Sequence, residues 1–468
     1  METLQRSANR GSVSTGYEIG NSLKLEADNS ESLTHTGTQS TAGNARTWTW
    51  AGWIKRTELD GHEYLFSAGY TGFKFMTTEN WLRFAMYDGS TSYYLDLDMV
   101  FRDTSAWYHI VGQLDTTQGT AANRAKVWVN GVLQTEFRAS TNYTSIPQNT
   151  EFQIGQTGSS SNWLKIGDWF AAGRYLSAYI AEWHFTDGVA NEADAFGEFD
   201  SDTGIWIPKE YTGSYGTIGY YLDFSDSANL GNDSSGNSTD FSETNISAAD
   251  QASDTPTNNF CTLNILYNYA YGNTITEGAT KIYGAANNWG GGKATFGLTS
   301  GKWYWEIKQL ANGNTFMGLQ TDGEDNISSG NAQSQNTSVV FYTDGTLQYS
   351  NGSESTTSAS NSIAANSIVG FALDLDSATQ TIKVYNNNSL VTAFGSSGTA
   401  NLSTYNIADK TVFPFVALYD RTVNMNFGGY TVSSISSAAS DANGYGVFEY
   451  APPSGYYAIC TKNLAEFG

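Results

Sequence analysis

Five aromatic residues stand beside glycines, serines and asparagines where strands give way to loops: Tyr93, Tyr94, Trp163, Trp169 and Trp289. A sugar ring offers apolar C–H faces and hydroxyl edges, so an aromatic face with amide neighbours suits it, and these five are candidate glycan-binding residues. The same rings equally suit packing on a sheet or against another subunit, because tyrosine and tryptophan favour interfaces in general. Carboxylates are the second source of chemistry. Asp96 and Asp98 alternate with Leu95 and Leu97, and Asp374 and Asp376 with Leu373 and Leu375, so each pair points to one face of its strand. Such pairs can hold calcium or act as acid and base, yet one apolar and one solvated acidic face is the ordinary pattern of an outer strand. The loop from Asp322 to Asn326 offers oxygen ligands without the glycine placement and terminal glutamate of an EF-hand, which leaves calcium an open option and assigns no metal residue. His35, His62, His109 and His184 lack zinc-site spacing. There is no Gly-x-Ser-x-Gly elbow, and Gly290 to Lys293, followed by Ala294, lacks the upstream glycine of a phosphate loop. No catalytic residue and no cofactor is assigned, and a non-enzymatic role is expected.

The elements that must position these residues are strands. Lys126 to Gln134 places Asn130-Gly131 between two β-branched, aromatic-rich runs, and both turn residues must take positive φ, which marks a two-residue hairpin. Trp107 to Asp115 supplies a further strand beside it. Thr47 to Lys55 alternates aromatics with small residues, and short strands recur at Tyr64–Ser67, Gly72–Met76, Trp81–Tyr87, Tyr93–Val100, Glu151–Ile154 and Ala178–Phe185. Regular short strands with turn signals between them indicate sandwiches. The 48 glycines, 6 prolines, 14% aromatics and 15% charged residues agree with pleated surfaces joined by tight turns. We therefore expect an all-β chain of two consecutive antiparallel β-sandwich (jelly-roll) domains. The boundaries are an extended N-terminal arm at 1–20, a first sandwich at 21–224, a polar linker at 225–260, a second sandwich at 261–448 and an extended tail at 449–468. A formal net charge of −23 disfavours nucleic acid and anionic membranes, whose binding requires clustered Lys and Arg. Cys261 and Cys460 read as two buried thiols, with a bridge possible where the ends of the second domain meet. The first residues lack the apolar core of a signal peptide, and no apolar run approaches membrane-spanning length, so a soluble protein without secretion is expected.

Trp48 to Arg56, Trp107-Tyr108-His109, Val129-Asn130-Gly131, Gln153-Ile154-Gly155 and Tyr179 to Phe185 occur in the order seen in laminin-G-like, concanavalin-type domains, and the chain resembles these from about Ser22 to Asp187. The continuation through Trp206-Ile207-Pro208 to Phe224 resembles structural proteins of marine tailed phages. Trp303-Tyr304-Trp305, Val369 to Asp376, Thr381 to Tyr385 and Val412 to Leu418 resemble a SPRY domain, with Asn386-Asn387-Asn388 where that family has an Asn-Gly turn. The resemblance implies a virion surface protein, a tail appendage or fibre component assembled in the host cytoplasm and released by lysis. It would attach to host-surface glycan, contact other virion proteins and form a homo-oligomer. A non-receptor role, decorating the capsid or bracing the tail, is the alternative. Glu26-Ala27-Asp28-Asn29-Ser30-Glu31 also has the Glu-x-Asp-x-x-Glu spacing of jelly-roll glycoside hydrolases, in which a retaining pair of carboxylates stands about 5–5.5 Å apart. Its Asn-Ser turn formers stand where a cleft strand carries apolar residues, so hydrolysis is the least favoured reading.

Overall fold

The computed structural model describes residues 16–35, 43–59, 61, 63–77, 79–154, 164–171, 173–267, 272–284, 287–322, 338–343, 346–350, 354–358, 363–392 and 397–468. Residues 1–15 of the expected arm lie outside them. The chain divides into two units, one covering 14–257 and the other 258–468.

In the first unit the strands are β1 (Ser22–Leu25), β2 (Ser32–Thr34), β3 (Thr47–Arg56), β4 (Glu63–Ala68), β5 (Thr71–Phe75), β6 (Trp81–Tyr87), β7 (Ser92–Val100), β8 (Tyr108–Asp115), β9 (Ala125–Val129), β10 (Val132–Leu133), β11 (Leu164–Ile166), β12 (Ala178–Asp187), β13 (Gly197–Phe199), β14 (Trp206–Pro208), β15 (Tyr220–Leu222), β16 (Ser242–Thr244) and β17 (Gln251–Ala252). One sheet runs β10-β9-β8-β3-β12-β1-β17, with β15 also on β12, and the other runs β16-β2-β11-β4-β5-β6-β7. Between them lies an aromatic core in which Trp50 stacks on Phe73 at 4.6 Å and meets Trp183 edge-on at 4.9 Å. Room for these rings comes from a strand glycine: a Cβ on Gly112 would stand 2.0 Å from the Phe73 ring. Asn130 (φ 47°) and Gly131 (φ 76°) form the expected hairpin turn, with Val129 opposite Val132.

The expected polar linker at 225–260 requires correction. Through residue 257 it belongs to the first unit, because β16 pairs with β2 and β17 pairs with β1. Side chains supply what apolar periodicity lacks. Asp254, 1% exposed, holds Lys55 Nζ at 2.7 Å and accepts the Trp107 indole N–H at 3.1 Å. Asp250 shares the buried Lys24 ammonium with Glu31, at 2.8 and 2.9 Å. The described end of the arm is also docked, with Ile19 N–H donating to Thr257 Oγ1 and Tyr17 Oη to Glu182.

In the second unit the strands are β18 (Asn273–Thr276), β19 (Lys281–Gly284), β20 (Trp289–Lys293), β21 (Lys302–Gln309), β22 (Thr315–Thr321), β23 (Ser338–Tyr342), β24 (Thr346–Ser350), β25 (Glu354–Ser358), β26 (Ile368–Asp374), β27 (Thr381–Asn386), β28 (Ser389–Leu390), β29 (Thr399–Asn401), β30 (Val412–Tyr419), β31 (Thr422–Asn426) and β32 (Tyr457–Ala458). They form the sheets β18-β19-β31-β21-β26-β27-β28 and β20-β30-β22-β23-β24-β25. Two asparagines at positive φ, Asn387 and Asn388, turn β27 into β28 as a two-residue loop, so asparagine serves where a glycine was expected. The expected extended tail is likewise corrected. Tyr457–Ala458 runs parallel to β21, and Thr461–Phe467 is a short helix. Buried Glu306 holds this end in place by accepting the backbone N–H groups of Glu449 and Tyr450, each at 2.9 Å. Cys261 and Cys460 are buried thiols, not joined in a disulfide. Phe260 pairs with Cys460 and Cys261 N–H bonds to Ile459, so the thiols belong to neighbouring pairs whose side chains alternate between faces.

Candidate functional site

Alternation on β4 to β7 sorts side chains cleanly. Phe73 and Phe75, then Leu82, Phe84 and Met86, then Tyr93, Leu95 and Leu97, point into the core. The residues between them form the outer face of the sheet. Register places Tyr64 opposite Lys74, Lys74 opposite Arg83 and Arg83 opposite Asp96, a row crossing four strands. In the next row two small residues, Gly72 and Ala85, face each other, and Ala85 faces Tyr94. A Cβ at Gly72 (φ 155°) would stand 2.1 Å from the Phe66 carbonyl oxygen, so β5 closes on the bulged β4 only with glycine there.

Aromatic rings rim this row. Tyr70, at the β4–β5 turn and 50% exposed, meets Tyr87 at 5.0 Å and Phe170 at 4.7 Å. Half-buried Trp169 stacks on Tyr64 at 5.8 Å and lies 6.1 Å from Tyr70. The turn carrying Trp169 and Phe170 is anchored by buried Asp168, which takes Lys165 Nζ at 2.7 Å and the backbone N–H groups of Trp169 and Arg174 at 2.7 and 3.2 Å.

Cations lie on the rings. Lys74 Nζ donates to Tyr64 Oη at 3.0 Å, Arg83 covers Tyr94 at 4.0 Å and Arg174 covers Trp169 at 5.8 Å. Arg83 also forks onto Asp96, at 2.7 and 2.8 Å. Burial, followed by the neighbouring Arg83 and Arg174 charges, brings the Lys74 ammonium down to about 8. Burial lifts the Tyr64 phenol to about 12 against the opposing pull of the same two arginines.

The five aromatic residues anticipated for glycan binding fare differently. Tyr94 and Trp169 are on this face. Tyr93, one residue from Tyr94, is turned inward against Phe152 at 6.0 Å and is 7% exposed, a correction that follows from strand parity. Trp163 lies outside the described residues. Trp289 is in the second unit, half-buried against Phe316 at 4.9 Å and Tyr419 at 5.7 Å, so the five do not form one site. Sequence reading missed Tyr64, Tyr70, Lys74, Arg83, Phe170 and Arg174. The signal available was the outward parity of Lys74 and Arg83 between core phenylalanines.

The carboxylate motifs serve structure. Ala27 to Ser30 is a turn, with Asp28 exposed and Glu26 and Glu31 buried, so the three do not share a face. Glu31 is engaged by Lys24, by the Glu26 N–H at 2.8 Å and by Asn29 at 2.9 Å, while Glu26 accepts from Ser177 at 3.2 Å. Asp96 pairs with Arg83 while Asp98 is exposed; Asp374 takes Lys302 at 2.9 Å, and Asp376 takes the Gly301 N–H at 2.6 Å. Among the described residues no group of three His, Cys, Asp or Glu is placed to hold a metal ion; most of the 322–326 loop lies outside them. His109 is fully buried against Trp53, its Nδ1 accepting the Trp206 indole N–H at 3.0 Å, and burial drives its imidazole down to about 3. His184 stacks on Tyr221 at 4.3 Å and bonds Tyr215 Oη at 3.0 Å. No described helix is long and apolar enough to cross a membrane.

Residues 27–194 match the family model Laminin_G_3, described as the concanavalin A-like lectin/glucanases superfamily. No curated protein sequence matches the chain. Solved structures similar to it include the SPRY domain of human HERC1, at 19% identity and TM-score 0.26, covering 33% of this chain and 91% of that one. The PSpry domain of TRIM65 is 13% identical with TM-score 0.27, covering 36% and 88%. A heptameric SAP-like pentraxin from Limulus polyphemus is 13% identical with TM-score 0.27, covering 38% and 80%.

Proposed function

We propose that this chain is a glycan-recognition protein of a tailed-phage virion surface, carried on a tail appendage or fibre and mediating attachment to the host, and that it works without catalysis. The observation carrying the recognition reading is the outer face of β4 to β7, where Tyr70, Phe170 and Trp169 rim the row of Gly72 and Ala85 beside Lys74 and Arg83. Apolar patches rimmed by polar residues mark interaction sites and ligand grooves, and aromatic rings beside hydrogen-bond donors are the means by which a sugar's C–H face and hydroxyl edge are held together. The lectin-type family match over 27–194, which contains all of this face, supports the reading. The engagement of Glu26 and Glu31 in buried bonds supports a binding role over a hydrolytic one.

The test is binding of the full chain to a glycan array, with Tyr70→Ala as the diagnostic variant, because Tyr70 is exposed and its loss spares the core. Array binding that Tyr70→Ala weakens supports the proposal. Absence of binding to any glycan defeats it and favours the capsid-decorating or tail-bracing role. The virion assignment is tested separately by antibody labelling of intact particles, where a signal at the tail tip supports attachment and no signal on particles defeats it.

A further inference from the structure

Three cations converge on the aromatic face from separate elements: Lys74 on β5, Arg83 on β6 and Arg174 after the Trp169 turn. Arg83 has its counter-ion in Asp96, whose second oxygen also accepts from Ser140. Among the described residues no carboxylate stands within 4.0 Å of Lys74 Nζ or the Arg174 guanidinium. In a chain of formal net charge −23, two cations with no described carboxylate within 4.0 Å are thus held beside aromatic rings on one face. The arrangement opposes folding, since a half-buried ammonium is kept next to two guanidiniums; an anion placed there would offset that cost.

Resting on the reading of this face as a glycan site, we infer that its ligand is an acidic sugar, whose carboxylate or sulfate is received by Lys74 and Arg174 while its ring packs on the aromatic rim that includes Tyr70. Both anions present negatively charged oxygens, and charge-assisted bonds to Lys and Arg are about twice as strong as neutral ones. Arg83, already forked onto Asp96, covers Tyr94 and sets the edge of the site.

Titration calorimetry on the full chain separates the alternatives, using galacturonate oligomers for carboxylate, chondroitin sulfate oligosaccharides for sulfate, and neutral galactose oligomers of matched length. At least one acidic series is expected to bind about 10-fold or more tighter than the neutral one, and the series that does so identifies the anion. Lys74→Met and Arg174→Gln are each expected to weaken acidic binding about 10-fold and neutral binding by a smaller factor, so that the preference for the acidic series collapses. Arg174 is exposed, so its replacement does not depend on the fold tolerating a buried change. Equal affinity for acidic and neutral oligomers, or full acidic affinity in both variants, overturns the inference while leaving the glycan reading in place. Failure of every oligomer to bind overturns the inference, and failure on the wider array removes the glycan reading as well.

Discussion

Asp254→Ala is the sharpest test of how the first unit is built. The carboxylate lies in a polar stretch, yet it is 1% exposed, 2.7 Å from a Lys55 ammonium that is itself fully buried, and 3.1 Å from the Trp107 indole nitrogen. Deleting one partner of a buried pair costs about 3–5 kcal/mol, because the remaining charge keeps its desolvation penalty. For a unit of this size each kcal/mol moves the melting temperature by about 2–4 °C, so a fall of roughly 6–20 °C is expected. Scanning calorimetry of the full chain is the assay, since two units should give two transitions and only that of residues 14–257 should move. Asp254→Asn, which keeps an acceptor for Trp107 but loses the charge, should fall between wild type and alanine. Lys55→Met with Asp254→Leu should recover much of the loss, because a packed apolar pair avoids both desolvation costs. A loss below about 1 kcal/mol in Asp254→Ala, or displacement of the other transition, would refute the assignment of residues 225–257 to the first sandwich.

Other consequences are equally open to measurement. Gly112→Ala should destabilise the first unit by about 1–3 kcal/mol in urea unfolding, because its Cβ would stand 2.0 Å from Phe73 inside the core. His109 is held neutral, with its pKa lowered to about 3, so the unfolded state binds its proton first. Stability should therefore fall as pH drops below about 6.5, by up to about 1.4 kcal/mol per pH unit, and His109→Gln should flatten that slope in acid titrations followed by tryptophan fluorescence. On the ligand face, Lys74 is charged below about 8 and faces Tyr64, Arg83, Arg174 and, farther off, Asp96. Acidic-sugar affinity measured by calorimetry should decline as pH rises through that value, and Lys74→Met should abolish the decline. Tyr64, raised to about 12, stays neutral over the same range and does not contribute.

Local chemistry carried much of the architecture in the sequence itself. Alternating apolar residues, Asn-Gly at 130–131 and the aromatic run at Thr47 to Lys55 each state a strand or a turn without reference to distant residues, because pleat and positive φ are local demands. Which face a ring occupies is less local. Tyr93 and Tyr94 are equivalent in composition, and only the pairing of β6 with β7 puts one in the core and the other beside Arg83. The polar stretch 225–257 looked like a connection because its stabilising contacts are single charges and backbone pairings to residues some 200 positions away, such as Asp254 with Lys55, and these leave no periodicity to read. The candidate site depends on the same kind of closure. Lys74 and Arg83 are neighbours by sheet register, whereas Arg174 arrives about a hundred residues later on a turn that Asp168 fixes. The sequence by itself determined the strands and their amphipathic faces, whereas the convergence of three like charges on one face was decided only when the tertiary fold brought separate segments together.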